Sequence, residues 1–100
     1  MDLFKLLNTK YLILIEMNMS IVRPSLRDTW GLVLQYTLSQ DKLLVSVKEV
    51  MANSPASLFL QPGDLIMNIN DWDIAKIYHP EVAANLFRAA GNFVTLEIHR

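Results

Sequence analysis

The sequence predicts a small, mainly antiparallel β fold with two helices, an α+β chain, and three observations carry that prediction. Apolar and polar residues alternate with period two in three separate stretches, 15–22, 43–50 and 94–99, which places every second side chain on one sheet face. Turn signals separate the stretches at short intervals: Arg23-Pro24, Gln61-Pro62-Gly63-Asp64 and Asn70-Asp71. Two proline-led helix starts, Ser54-Pro55 and His79-Pro80, stand between the later strands.

Taken in order, Ile15, Met17, Met19 and Ile21 alternate with Glu16, Asn18, Ser20 and Val22 as a half-buried strand, and Pro24 ends it. A loop through Asp28 leads to a second strand from Gly31 to Tyr36, and Ser39-Gln40-Asp41-Lys42 is a polar connection. The third strand runs from Leu43 to Val50, with Leu43, Val45 and Val47 on one face and Ser46 and Lys48 on the other. Ser54 is placed to cap a helix whose first residue is Pro55. That helix is short, because Pro62-Gly63 turns the chain soon afterwards. Leu65 to Asn70 is a fourth strand, followed by a tight turn into Trp72-Asp73-Ile74. Pro80 opens the main helix and Gly91 closes it as the residue just past the cap. Val94, Leu96 and Ile98 face inward on the last strand, which leaves His99 pointing to solvent.

The bulk numbers exclude several function classes. One hundred residues, 52% apolar and 19% charged, make one domain with one core. A net charge of −1 without a run of Lys or Arg argues against a nucleic-acid surface. With no cysteine there is no disulfide framework, thiolate metal site or Cys nucleophile; a reducing cytoplasmic setting fits. No metal or cofactor motif is present, and no catalytic constellation either. His79 with Glu81 is too local for general acid–base work, and Asp71 with Asp73 is turn chemistry. The apolar run from Tyr11 to Ile15 is only five residues, flanked by Lys10 and Glu16, too short for a secretory core or a membrane span. Residues 1–14 are therefore read as a lead segment, and 15–100 as the domain.

The order Trp30-Gly31-Leu32, Ser54-Pro55-Ala56, Pro62-Gly63-Asp64-Leu65-Ile66, Ile69-Asn70 and then His79 resembles a PDZ domain across 15–100. The Trp-Gly pair is most similar to the ALP–Enigma group of cytoskeletal PDZ proteins. The resemblance implies a partly open β-barrel of five or six strands with two helices. It also implies a function: binding the C-terminal residues of partner proteins as an added strand, between the second strand and the second helix. Departures exist. Thr29-Trp30-Gly31-Leu32 stands where the family has Gly-Leu-Gly-Phe, and Ser57-Leu58-Phe59-Leu60 is about one residue short. The main helix or its exit is one residue longer than is usual in the family. Counted back from Gly91, Pro80 takes the first helix position; counted forward from Asn70, His79 takes it, with Ala83 and Leu86 following. The forward count is adopted.

On that resemblance the backbone amides of Trp30, Gly31 and Leu32 receive the ligand carboxylate as an anion nest, with Arg23 or Arg27 adding positive charge. The strand Leu32-Val33-Leu34-Gln35 pairs with the ligand main chain. Leu32, Leu34 and Leu86 line the pocket for the terminal side chain. His79 hydrogen-bonds a Ser or Thr hydroxyl two residues upstream (a class I pattern, Ser/Thr–any–apolar–COOH), and Ala83 leaves room beside it. Trp30 is expected to pack over the loop, and Trp72 to cover the surface or meet a partner. A competing reading makes the chain a weak self-associating scaffold, through an exposed edge strand or the apolar N-terminal segment. A third makes it the substrate-sensing module of a larger protease.

Overall fold

The computed structural model describes residues 15–100. Six strands form one antiparallel sheet: β1 (Glu16–Val22), β2 (Leu32–Ser39), β3 (Lys42–Val50), β4 (Leu65–Ile69), β5 (Trp72–Asp73) and β6 (Phe93–His99). Their spatial order is β1-β6-β4-β3-β2, with the short β5 paired to β4. Among the described residues the sheet is open, with β1 and β2 as its two edges. One α-helix, α1 (Pro80–Ala89), packs on it.

The hairpins follow from turn chemistry. β2 and β3 are joined through Gln40 and Asp41, at φ 51° and 62°, and Ser39 stands opposite Lys42. β4 and β5 are joined through Asn70 and Asp71, at φ 49° and 67°, and Ile69 stands opposite Trp72. Two-residue loops with both central residues at positive φ match the right-handed twist of the flanking strands. Gln61-Pro62-Gly63-Asp64 closes with Asp64 N–H donating to the Gln61 carbonyl (3.2 Å) and Gly63 at φ +95°, a type II turn. The same Asp64 is buried. Its carboxylate accepts the Gln61 N–H (2.9 Å) and both Nε and Nη2 of Arg100 (2.9 Å each), so a charge that would be costly to bury is fully paired.

Period-two burial in β3 and β6 builds the core. Leu43, Val45 and Val47 face inward as the alternation predicts, and so do Val94, Leu96 and Ile98. Ile21, Ile66 and Ile69 join them, and α1 adds Ala83, Phe87 and Ala90. Each Val, Leu, Ile or Phe side chain among them contributes about 1.5–3 kcal/mol through burial.

Four sequence expectations change. The helix expected at Pro55 is a single 3₁₀ turn, Pro55–Leu58, and a second 3₁₀ turn spans Ile74–Lys76, leaving one α-helix rather than two among the described residues. Ser54 does not cap the first of these. Its hydroxyl donates back to the Met51 carbonyl (2.7 Å), a local bond that competes with capping. Gly91 follows the helix but does not take the left-handed conformation, because the chain leaves α1 through Ala90 in an extended conformation (φ −63°, ψ 137°). His99 is not solvent-facing. β6 is flanked on both sides, so its outer face is partly covered, with Ser20 against Thr95 and Asn68 against Glu97. The His99 Nε2 lies 3.6 Å from carboxylate oxygens of both Glu16 and Glu97. Among the described residues no helix is long and apolar enough to cross a membrane.

Candidate functional site

The segment between β1 and β2 has two tasks, and different atoms perform them. Its carbonyls are fixed inward: Trp30 accepts from Ala56 N–H (3.0 Å) and Gly31 from Met51 N–H (2.8 Å). The N–H groups of Trp30 and Gly31 donate to no acceptor among the described residues. Consecutive unspent amides at a turn make a concave anion site. Gly31 sits at φ +81° with Ser54 pressed against it, where any Cβ would collide with the Ser54 side chain. Glycine is therefore required on two counts, dihedral and space.

The side chains of this segment brace the end of α1. Arg23 is buried and spends its whole fork on carbonyls: Nη2 on Ala90 (2.6 Å), Nε on Gly91 (2.9 Å) and Nη1 on Asp28 (3.1 Å). Its guanidinium lies 4.3 Å from the centre of the Trp30 ring, a cation–π distance. Trp30 is buried too, and its indole N–H donates to the Phe87 carbonyl (3.1 Å). The last carbonyls of a helix lack partners and carry partial negative charge. Here a cation and an indole satisfy them, which explains why Gly91 need not adopt the left-handed cap. Arg23 is thereby committed to structure, whereas Arg27 is exposed.

Between β2 and α1 opens a cavity of about 430 Å³. Leu32 and Leu34 line it from the strand, Phe87 and Arg88 from the helix, and Trp30, Gly31 and Arg27 at the loop end. The forward count of the helix is thus corrected. Ala83 is wholly buried in the core and Leu86 packs against the core rather than lining the cavity. A helical stripe through 87 and 88 passes through 84 and 80, at spacings of three or four. Pro80 is the first helical residue, as the count back from Gly91 gives. Sequence reasoning missed Phe87 and Arg88, and that second count was the signal that held them.

His79 is the helix N-cap residue, at φ −119°, with no side-chain cap bond, and it is exposed. Being outside the helix, its side chain does not follow the helical stripe. Along β2, Val33 and Gln35 alternate to the opposite face from Leu32 and Leu34, so only their backbone faces the free edge. A bulge falls between Val33 and Leu34 on the β3 side. Tyr36 continues the inner face. Burial pushes its hydroxyl above the ordinary tyrosine range, partly offset by the Arg88 charge.

These features resolve with comparison to known proteins. The family model for the PDZ domain matches residues 18–99. The chain is a PDZ domain. Among solved structures it is similar to the second PDZ domain of Dlg1 from the choanoflagellate Monosiga brevicollis, at 17% identity and a TM-score of 0.71. The match covers 84% of this chain and 97% of that one, which establishes a shared fold. No curated protein matches. PDZ domains are interaction modules that bind C-terminal peptides of other proteins. Trp30-Gly31, on which the narrower ALP–Enigma resemblance rested, serves here as a brace and a close approach. It does not support that subgroup.

Proposed function

We propose that this PDZ domain binds the free C-terminus of partner proteins as a strand added to the open edge of β2. One observation carries the reading: among the described residues, an unpaired strand edge begins at two unspent amides beside an apolar cavity. The carboxylate sits at Trp30, Gly31 and Leu32, with the exposed Arg27 at the cavity mouth supplying charge. The terminal side chain enters among Leu32, Leu34 and Phe87, which favours an aliphatic residue. The ligand backbone pairs with β2 from Leu32 through Gln35 and beyond. His79, exposed and free of a capping bond, hydrogen-bonds a Ser or Thr hydroxyl two residues before the terminus.

The test is a fluorescence-anisotropy titration with a labelled peptide ending Thr-x-Val, as free acid and as amide. A dissociation constant on the order of micromolar, about −8 kcal/mol, is expected for the acid, with loss of binding on amidation. Equal affinity for acid and amide overturns carboxylate capture. A second copy of the chain is the rival occupant of the β2 edge. Size-exclusion chromatography with and without residues 1–14 distinguishes it, since a shift to a dimer in the absence of peptide supports self-association.

A further inference from the structure

Away from the β2–α1 groove, the sheet comes apart at one place. β2 and β3 are in register along all eight residues of β2, whereas β3 and β4 are in register at a single pair, Ser46 opposite Leu65. Beyond that pair β4 gives its Asn68 and Ile69 to β5. The 3₁₀ turn Ile74–Lys76 then packs against both β3 and β4, and the buried Ile74 is a wedge where the two strands part. The parting leaves a cavity of about 320 Å³, within the range of small-molecule sites, roughly 300–1,000 Å³. It shares no lining residue with the cavity beside α1.

The lining is one-sided in its chemistry. Eight of its ten residues are apolar, and no carboxylate is among them. Leu44 is 49% exposed and Leu65 and Met67 are half-buried, so apolar surface is left for an occupant to cover. The two polar residues, Lys42 and His99, mark opposite ends. His99 stands in register with Leu65. Lys42 is four residues along β3 from Ser46, about 13 Å at the rise of a strand. At the His99 end, Nε2 lies 3.6 Å from carboxylate oxygens of both Glu16 and Glu97, and that pair of carboxylates repels an anion. At the other end Lys42 is exposed, and among the described residues it makes no salt bridge.

We infer that this cavity binds a medium-chain aliphatic carboxylate, with its chain among Leu44, Leu65, Met67 and Ile74 and its carboxylate at the Lys42 ammonium. An apolar wall with a few polar groups that fix orientation is the usual form of a small-molecule site. The inference stands apart from the peptide reading, because the two cavities have no residue in common.

The experiment titrates decanoate, below its micelle concentration, into the full chain and follows side-chain methyl signals by NMR. Decanol, the neutral alcohol of the same length, is the control. Saturable shifts are expected at Leu44, Leu65, Met67 and Ile74. Lys42→Gln should weaken decanoate about threefold, the order of an exposed ion pair, and leave decanol unchanged. Leu44→Glu should abolish binding of both while the spectrum stays dispersed, since Leu44 is half-exposed and its loss spares the core. Shifts at Leu32, Leu34 and Phe87 instead would place the carboxylate in the β2–α1 groove and overturn the second site. Shifts that do not saturate would overturn it as well. Equal binding of decanoate and decanol, untouched by Lys42→Gln, would refute the carboxylate assignment. Binding seen only after removal of residues 1–14 would make that segment the occupant and overturn the inference.

Discussion

The two ends of α1 are built in opposite ways. At the C-terminal end, Arg23 and Trp30 tie the Phe87, Ala90 and Gly91 carbonyls into the loop that precedes β2. At the N-terminal end, His79 makes no cap bond, and Tyr78 and Leu38 stand exposed around an open cavity. The first end is over-determined and the second is left open. In a module whose ligands all present the same carboxylate and differ upstream, that division is physically sensible. In the proposed mode of binding, the invariant group meets a site whose geometry is paid for in folding, and the variable groups meet side chains that can change without cost to the fold.

Breaking the braced end should have the largest effect. Arg23→Ala removes three charge-assisted bonds and strands two helix-end carbonyls; a loss of roughly 3–4 kcal/mol is expected, read as a lowered urea midpoint. Arg23→Lys should recover little of it, because a point charge cannot reproduce the fork. Gly31→Ala comes next, at about 2–3 kcal/mol, combining an unfavourable dihedral with a clash on Ser54. The double variant Gly31→Ala with Ser54→Gly tests that split. It should recover the clash component and leave the dihedral component, and full additivity of the two single variants would refute the contact as the cause.

At the open end the effects should be smaller and confined to binding. His79→Ala is expected to weaken a Thr-x-Val peptide by about fivefold, the order of one hydrogen bond, and to leave the unfolding midpoint unchanged. An equal loss for a peptide with Ala in place of Thr would show that the imidazole does not read the hydroxyl. The smallest effect concerns Tyr36. Its folded pKa is raised above the ordinary value of 10.0, so its contribution to stability is intact below pH 10 and is lost as pH rises through the folded value. Tyr36→Phe should flatten the alkaline limb of a stability–pH profile slightly, since the hydroxyl is only part-buried.

What the sequence revealed about the fold divides along similar lines. β3 was legible because Leu43, Val45 and Val47 alternate against Ser46 and Lys48, a signal that depends only on near neighbours. The Gln61–Asp64 and Asn70-Asp71 turns were legible for the same reason. His99 was misread because alternation reports which side a residue faces, and the coverage of that side by Glu16 and Asn68 comes from other strands. The roles of Arg23 and Trp30 depend on partners more than fifty positions away, with no local trace. At the site, Gly31 and the β2 leucines were found by motif order. The helix register slipped by one, and Ala83 and Leu86 stood in for Ala84 and Phe87. The forward count from Asn70 ran through the 3₁₀ turn Ile74–Lys76, an irregular stretch whose length leaves no periodicity in the sequence.

The open edge of β2 also has a mechanical meaning. A strand added antiparallel to it enters at the hairpin end and finishes at the loop, so the body of any bound partner lies beyond Ser39. Tension between the two proteins then runs along the strand axis. Every ladder bond is sheared together, and none can be peeled open ahead of the rest. β2 is itself fastened to β3 along all eight of its residues, and the loop at its far end is anchored to α1 by Arg23 and Trp30. Such an attachment would resist pulling better than the equilibrium affinity expected of it implies.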